Sequence, residues 1–211
     1  MITLYQTEWC PYSHRVRQVL TELGLTYTTV CVPYAAEDRV DLLAVAGQTG
    51  VPVLTDGDGV YRDSDAIIAH LRATYPAPED AGDHAAHGAW RTATQVAGDA
   101  RSALARLKTR LDEKGFVVLA EIAGSTISPR LPDDHVVLQV TVPVAAAKAA
   151  GVDPLAPAAL MFPMAVVPQG DDVCTVAAAD PVGQVWLHAE PDLIKVQGAV
   201  KKRLEELLAT L

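Results

Sequence analysis

The sequence predicts an α/β protein built as two domains, and three observations lead there. In residues 1–75, short β-branched runs alternate with stretches whose apolar residues recur at helical spacing. Pro76-Ala77-Pro78-Glu79-Asp80-Ala81-Gly82 then concentrates proline, glycine and acid, as linkers do. At 211 residues the chain also exceeds the roughly 100–150 residues at which single cores commonly settle.

Ile2 to Gln6 reads as the first strand. Pro11 opens a helix, because its fixed φ suits a first turn; Val16, Val19, Leu20 and Leu23 share one face, and Gly24 stops it. Thr26 to Val32 is strand-like, Glu37 to Ala46 is a second helix, Val51 to Leu54 a strand, and Val60-Tyr61 another after the turn Asp56-Gly57-Asp58-Gly59. Asp63 or Ser64 caps a third helix carrying Ile67, Ile68 and Leu71, so the order β-α-β-α-β-β-α closes at Tyr75. Past the linker, a long helical stretch is expected from about His84, with a break near Gly98 and an end at Lys114-Gly115; Leu104, Leu107 and Leu111 share a face. Phe116–Ile122 and Val136–Val142 read as strands and Val144–Ala150 as a short helix. Leu160–Val167 and Val173–Ala178 read as a β-pair turning at Gln169-Gly170-Asp171-Asp172. The last helix sets Val196, Val200, Leu204, Leu207, Leu208 and Leu211 on one side, and Lys201–Glu205 and Lys202–Glu206 at i,i+4 on the other. The expected division is a domain over 1–76, a linker and helix over 77–101, and a second α/β domain over 102–211.

A formal charge of −9 argues against nucleic acid or an anionic membrane as partner, since both require clustered Lys and Arg. No run approaches the roughly 18 consecutive apolar residues of a membrane span. Met1-Ile2-Thr3-Leu4 enters a strand-like run without a basic leader, so a cytosolic protein is expected. Three cysteines, Cys10, Cys31 and Cys174, are too few and scattered for a secreted disulfide framework, and an odd count leaves at least one thiol free.

Cys10 carries the chemistry. Trp9-Cys10-Pro11-Tyr12-Ser13 joins the first strand to the first helix, so Cys10 sits at or beside the N-cap. Unpaired N–H groups and the positive end of the helix dipole favour an anion there, and a thiolate can attack a disulfide sulfur. His14, Arg15 and Arg17 add positive charge nearby. The plainer alternative is a buried thiol in a domain kept for binding. Cys31, in the alternating run Val30-Cys31-Val32, is expected in the core as a small apolar residue. His84-Ala85-Ala86-His87 has metal-like spacing but no third ligand nearby, so it reads as a solvated linker face; His188, after Trp186-Leu187, reads as structural.

Cys10-Pro11-Tyr12-Ser13 followed by His14-Arg15-Val16-Arg17 resembles the active-site turn of glutaredoxins and of the glutathione transferase N-terminal domain. The resemblance implies a thioredoxin fold, a mixed four-stranded sheet flanked by helices. Gly47-Gln48-Thr49-Gly50-Val51-Pro52-Val53-Leu54 is similar to the family segment ending in a cis-proline, where the preceding residue offers backbone bonds to a thiol cosubstrate. Asp63-Ser64-Asp65-Ala66-Ile67 resembles the third-helix start that holds the γ-glutamyl carboxylate and amine of glutathione. Cys10 is thereby implied as nucleophile, with Ser13 a candidate hydroxyl donor to it. Tyr12, Gln48, Val51, Pro52, Asp63, Ser64 and Asp65 are the implied cosubstrate-binding residues. Ser13 stands where a dithiol glutaredoxin has its second cysteine, which restricts the route to a monothiol one.

From about Ser102 the chain resembles the family known as domain of unknown function 302, a small α/β domain. The carrying segments are Lys114–Ile122, Leu160–Val167 and Ala179-Asp180-Pro181. Thr141 and Met164 stand where that family usually shows cysteines, which points this domain toward structural or binding duty. The expectation is a monothiol thiol–disulfide oxidoreductase using glutathione or another small thiol as cosubstrate, with no bound cofactor or metal. Its partners would be small thiols, disulfides and protein mixed disulfides. A non-catalytic adaptor, a transferase-like conjugating enzyme and an iron–sulfur site bridged by two Cys10 residues stay open, as do monomer and homodimer.

Overall fold

The computed structural model describes residues 1–87, 89–170, 172–182 and 190–211. These form two compact units, Met1–Ala89 and Trp90–Leu211. His188 and Asp171 lie outside the described residues.

The first unit runs β1 (Ile2–Gln6), α1 (Pro11–Glu22), β2 (Thr28–Cys31), α2 (Val40–Ala46), β3 (Val53–Asp56), β4 (Gly59–Arg62), α3 (Ser64–Thr74) and α4 (Ala81–His87). Its sheet has the order β2-β1-β3-β4. β1 pairs with β2 in parallel, across the crossover helix α1, while β1–β3 and β3–β4 are antiparallel. Ile2, Leu4, Val16, Leu20, Leu54, Ile67 and Leu71 form a common core, so α1 and α3 both bury their apolar faces against this sheet. Where α3 ends, Asp56 accepts from Tyr75 at 2.7 Å and meets His70 at 3.0 Å, which ties the helix to the β3–β4 hairpin. Those bonds, the Tyr75 hydroxyl first, hold the Asp56 carboxyl below its usual range.

Cys31 departs from expectation: it is exposed. The alternation was read correctly but assigned to the wrong side, because Val32 takes the buried face of the edge strand and Cys31 the opposite one.

The second unit runs β5 (Arg91–Ala97), α5 (Ala100–Glu113), β6 (Val117–Ala123), α6 (Gly124–Ile127), β7 (Val136–Thr141), α7 (Pro143–Ala150), β8 (Met161–Pro168), β9 (Val173–Ala179) and α8 (Pro191–Leu208). Its antiparallel sheet has the order β5-β9-β8-β7-β6. Leu107, Leu111, Leu138, Phe162, Met164, Val200 and Leu204 share its core, and the Phe116 and Phe162 rings meet edge to face at 6.2 Å.

Residues 91–97, read in sequence as part of a helix, form an edge strand instead. Arg91-Thr92-Ala93-Thr94-Gln95-Val96-Ala97 alternates between faces, and its full length pairs with β9 from Arg91↔Ala179 to Ala97↔Val173. A new helix then begins at Asp99, whose carboxylate accepts from the Ser102 N–H at 2.7 Å. Lys201 also breaks the surface pattern: its ammonium meets Asp180 at 2.6 Å, with side-chain exposures of 16% and 7%.

Candidate active site

Cys10 is the N-cap of α1, with extended backbone (φ −77°, ψ 117°) and Pro11 as the first helical residue. Its sulfur accepts the Ser13 backbone N–H at 3.4 Å and, as a thiol, donates to the Val51 carbonyl at 3.8 Å. One partner suits the ionised sulfur and the other the protonated one. The residue is half-buried.

The neighbouring cations serve other groups. Arg17 binds Gln6 Oε1 and pairs with Glu8 at 3.1 Å, which fixes the β1–α1 loop. Arg15 bonds the Ser64 hydroxyl at 2.8 Å and pairs with Asp65 at 2.9 Å, clamping α1 to the start of α3. Burial, then the Arg17 guanidinium, push the His14 imidazole below the usual histidine range. What faces the sulfur is therefore the helix start itself, through the Ser13 N–H.

Val51 reaches the sulfur because α2 ends at Gly47 in the left-handed conformation (φ 66°), which turns the chain into Gln48–Pro52. The Val51–Pro52 peptide is cis. Gln48 spends its amide on the Gly50 carbonyl at 3.4 Å. At the start of α3, Asp63 holds a positive φ of 62° and accepts the Ala66 N–H at 2.9 Å. Ser64 is buried and Asp65 is exposed.

The structure thus brings Cys10 beside Val51, and joins Ser64 and Asp65 to α1 through Arg15. Tyr12 points to solvent. Sequence reasoning missed Arg39, which binds the carbonyls of Pro33, Tyr34 and Thr49 at 2.8–2.9 Å and so fastens the loop after β2 to the loop before β3. It also missed the exposed pair Trp9 and Tyr34, whose rings lie 6.1 Å apart. An arginine serving three carbonyls has no local sequence signature.

Ser13 needs a correction. Its hydroxyl is fully buried and has no partner among the described residues; the backbone N–H, not the side chain, serves Cys10. Ser13→Ala is therefore expected to leave Cys10 reactivity unchanged and to hold or raise stability by up to about 1 kcal/mol, because an unmet buried polar group is removed. Alkylation rate and urea unfolding check this; a large loss of reactivity would restore a role for the hydroxyl.

The family model described as glutathione S-transferase, N-terminal domain, matches residues 4–79. A glutaredoxin of Pseudomonas aeruginosa is 33% identical over 72 residues, which cover 34% of this chain and 86% of that protein. The model described as domain of unknown function DUF302 matches residues 92–211. The chain belongs to the DUF302 family, and its first unit to the glutaredoxins. A DUF302 protein from Bacillus stearothermophilus shares the fold of the second unit, at a TM-score of 0.50 and 22% identity over 57% of this chain and 96% of that one. Glutathione S-transferase Z2 of Arabidopsis thaliana is 41% identical over 68 residues, 31% of this chain. The chain spans only 30% of that protein's length.

Within the DUF302 unit, Thr141 and Met164 are packing positions. Thr141 is buried and donates to the Leu160 carbonyl at 3.1 Å, and Met164 is fully buried in β8. Cys174 is fully buried too; burial pushes its thiol up, and it donates to the Gly98 carbonyl at 3.4 Å. Among the described residues, no group of three His, Cys, Asp or Glu could hold a metal ion, and no helix is long and apolar enough to cross a membrane. His84 pairs with Asp80 at 3.4 Å.

Proposed function

We propose that the first unit is a monothiol thiol–disulfide oxidoreductase that uses glutathione or a similar small thiol. The observation that carries this reading is the half-buried Cys10 at the helix N-cap, its sulfur served by the Ser13 N–H and next to Val51. The Cys10 thiolate attacks the small-thiol sulfur of a mixed disulfide, forms a disulfide with it, and expels the substrate as a thiolate that takes up a proton. A second small thiol, ionised, attacks that same sulfur; it leaves as the symmetric disulfide and returns Cys10 to the thiolate. One small thiol enters as part of the mixed disulfide and a second is consumed, and the two leave joined as the symmetric disulfide. Residue 13 is serine, so no second thiol in this turn can compete for the intermediate.

When the cosubstrate binds, the Val51 backbone passes from the Cys10 thiol to the incoming cysteinyl group. The γ-glutamyl end falls to the start of α3, whose free N–H groups suit its carboxylate. Asp65 suits its amine, once the exposed and therefore weak Arg15 pair opens. A conjugating transferase is less well supported. The resemblance would require an all-helical second domain to hold the electrophile, and this chain carries an antiparallel sheet there.

Cys31 is an internal control, since it is the more exposed thiol but caps no helix. At neutral pH, Cys10 is expected to be alkylated about 10-fold faster than Cys31, because thiolate content outweighs access. Exposure to glutathione disulfide is expected to leave one adduct, on Cys10, by peptide mass mapping. Preferential modification of Cys31 would remove the enzymatic reading.

A further inference from the structure

In the second unit, α7, the 3-10 turn Ala156–Leu160 and α8 line a partly open cavity of about 260 Å³. Leu160, Leu193 and Val196 are among the residues that line it, with Leu155 and Asp153 at its exposed side. Gln197, only 3% exposed, is among the lining residues. Its Nε2 donates to the Ala159 carbonyl at 3.4 Å, which leaves Oε1 as the acceptor, and that oxygen has no partner among the described residues.

We propose that this cavity binds a small, uncharged, mostly apolar molecule carrying one hydroxyl or N–H donor, which bonds to Gln197 Oε1. Three features select that class. The size is generous: an apolar cavity of about 150 Å³ already takes benzene, so about 260 Å³ admits a fused bicyclic ring. The aliphatic lining rewards apolar area and gives no return for the desolvation of an ion; Asp153, the one ionisable group in the lining among the described residues, repels anions. Finally, Gln197 Oε1 is already buried without a partner among the described residues, so a ligand donor satisfies an acceptor at little further desolvation cost. The terminal torsion of a glutamine is broad, and a small rotation turns Oε1 toward a guest. Its amide nitrogen alone would suffice to hold Ala159, so a purely structural Gln197 leaves the oxygen unexplained.

The experiment uses the full chain and two probes of like size and shape: indole, which has an N–H, and 1-benzothiophene, which has no donor. Titration followed by amide NMR shifts is expected to show saturable changes at Leu193 and Val196, with indole binding about 10-fold more tightly. Indole-2-carboxylate is expected to bind more weakly than indole. In Gln197→Met the indole preference should vanish while 1-benzothiophene still binds. Val196→Phe, which fills the cavity, should abolish binding of both. Equal affinities for the two neutral probes in the unaltered chain, no saturable shift at the cavity, or tighter binding of the carboxylate would each overturn the proposal, and these readings stand even if a variant fails to fold.

Discussion

Cys10→Ser is expected to reduce turnover of a glutathionylated disulfide to the rate of free glutathione alone, while the fold stays intact. A serine hydroxyl is not ionised near neutral pH and cannot form the covalent intermediate, so the whole contribution of the nucleophile is lost. The usual objection, that a variant loses activity because it unfolds, is weak at this position. Serine is among the best N-cap residues, and its oxygen can accept the Ser13 N–H that the sulfur accepts now. Thermal stability should therefore hold or rise slightly, and the spectroscopic signature of the fold should not change. Cys31→Ser is the matched control and should retain full activity, since Cys31 lies on an exposed edge strand. If Cys10→Ser kept half of the turnover, Cys10 would not be the nucleophile and the proposed covalent route would fall.

The legible part of this molecule was local. Pro11 after Cys10, the apolar spacing of Val16, Val19 and Leu20, and Gly24 are short-range signals, and they place the N-cap cysteine where the structure has it. Asp63 likewise caps α3. What escaped was set by tertiary context. Arg91–Ala97 gains its strand identity from β9, more than seventy residues away in sequence, and the nearby helix signals of α5 outweighed its weak alternation. For Cys31, periodicity revealed two faces but not which one the unit covers. The roles of Arg15, Arg17 and Arg39 depend on which carbonyls and carboxylates lie within reach, and a pattern of letters does not encode reach. The same limit applies to Lys201, which sequence spacing paired with Glu205.

That last difference has a measurable size. An exposed i,i+4 pair contributes about 0.3–0.5 kcal/mol, so if Lys201 only decorated α8, Lys201→Met would scarcely be felt. In the structure Lys201 is the cation for Asp180, whose side chain is 7% exposed. The other Asp180 oxygen already accepts the Val182 N–H at 2.8 Å, and the Asp180 N–H holds the Trp90 carbonyl. Lys201→Met leaves that carboxylate buried without its counter-charge, and the second unit is expected to lose about 3–5 kcal/mol. Cys174 reports this directly, because it is fully buried in the same core and reacts only when the unit opens. Its pulse-alkylation midpoint in urea should fall by roughly 2 M, given slopes of about 1–3 kcal/mol/M for domains of this size. Asp180→Asn combined with Lys201→Met should cost clearly less than Lys201→Met alone, because the orphaned charge is then gone. A Cys174 midpoint that moves by less than about 0.3 M in Lys201→Met would place Lys201 on the surface and return the pairing to Glu205.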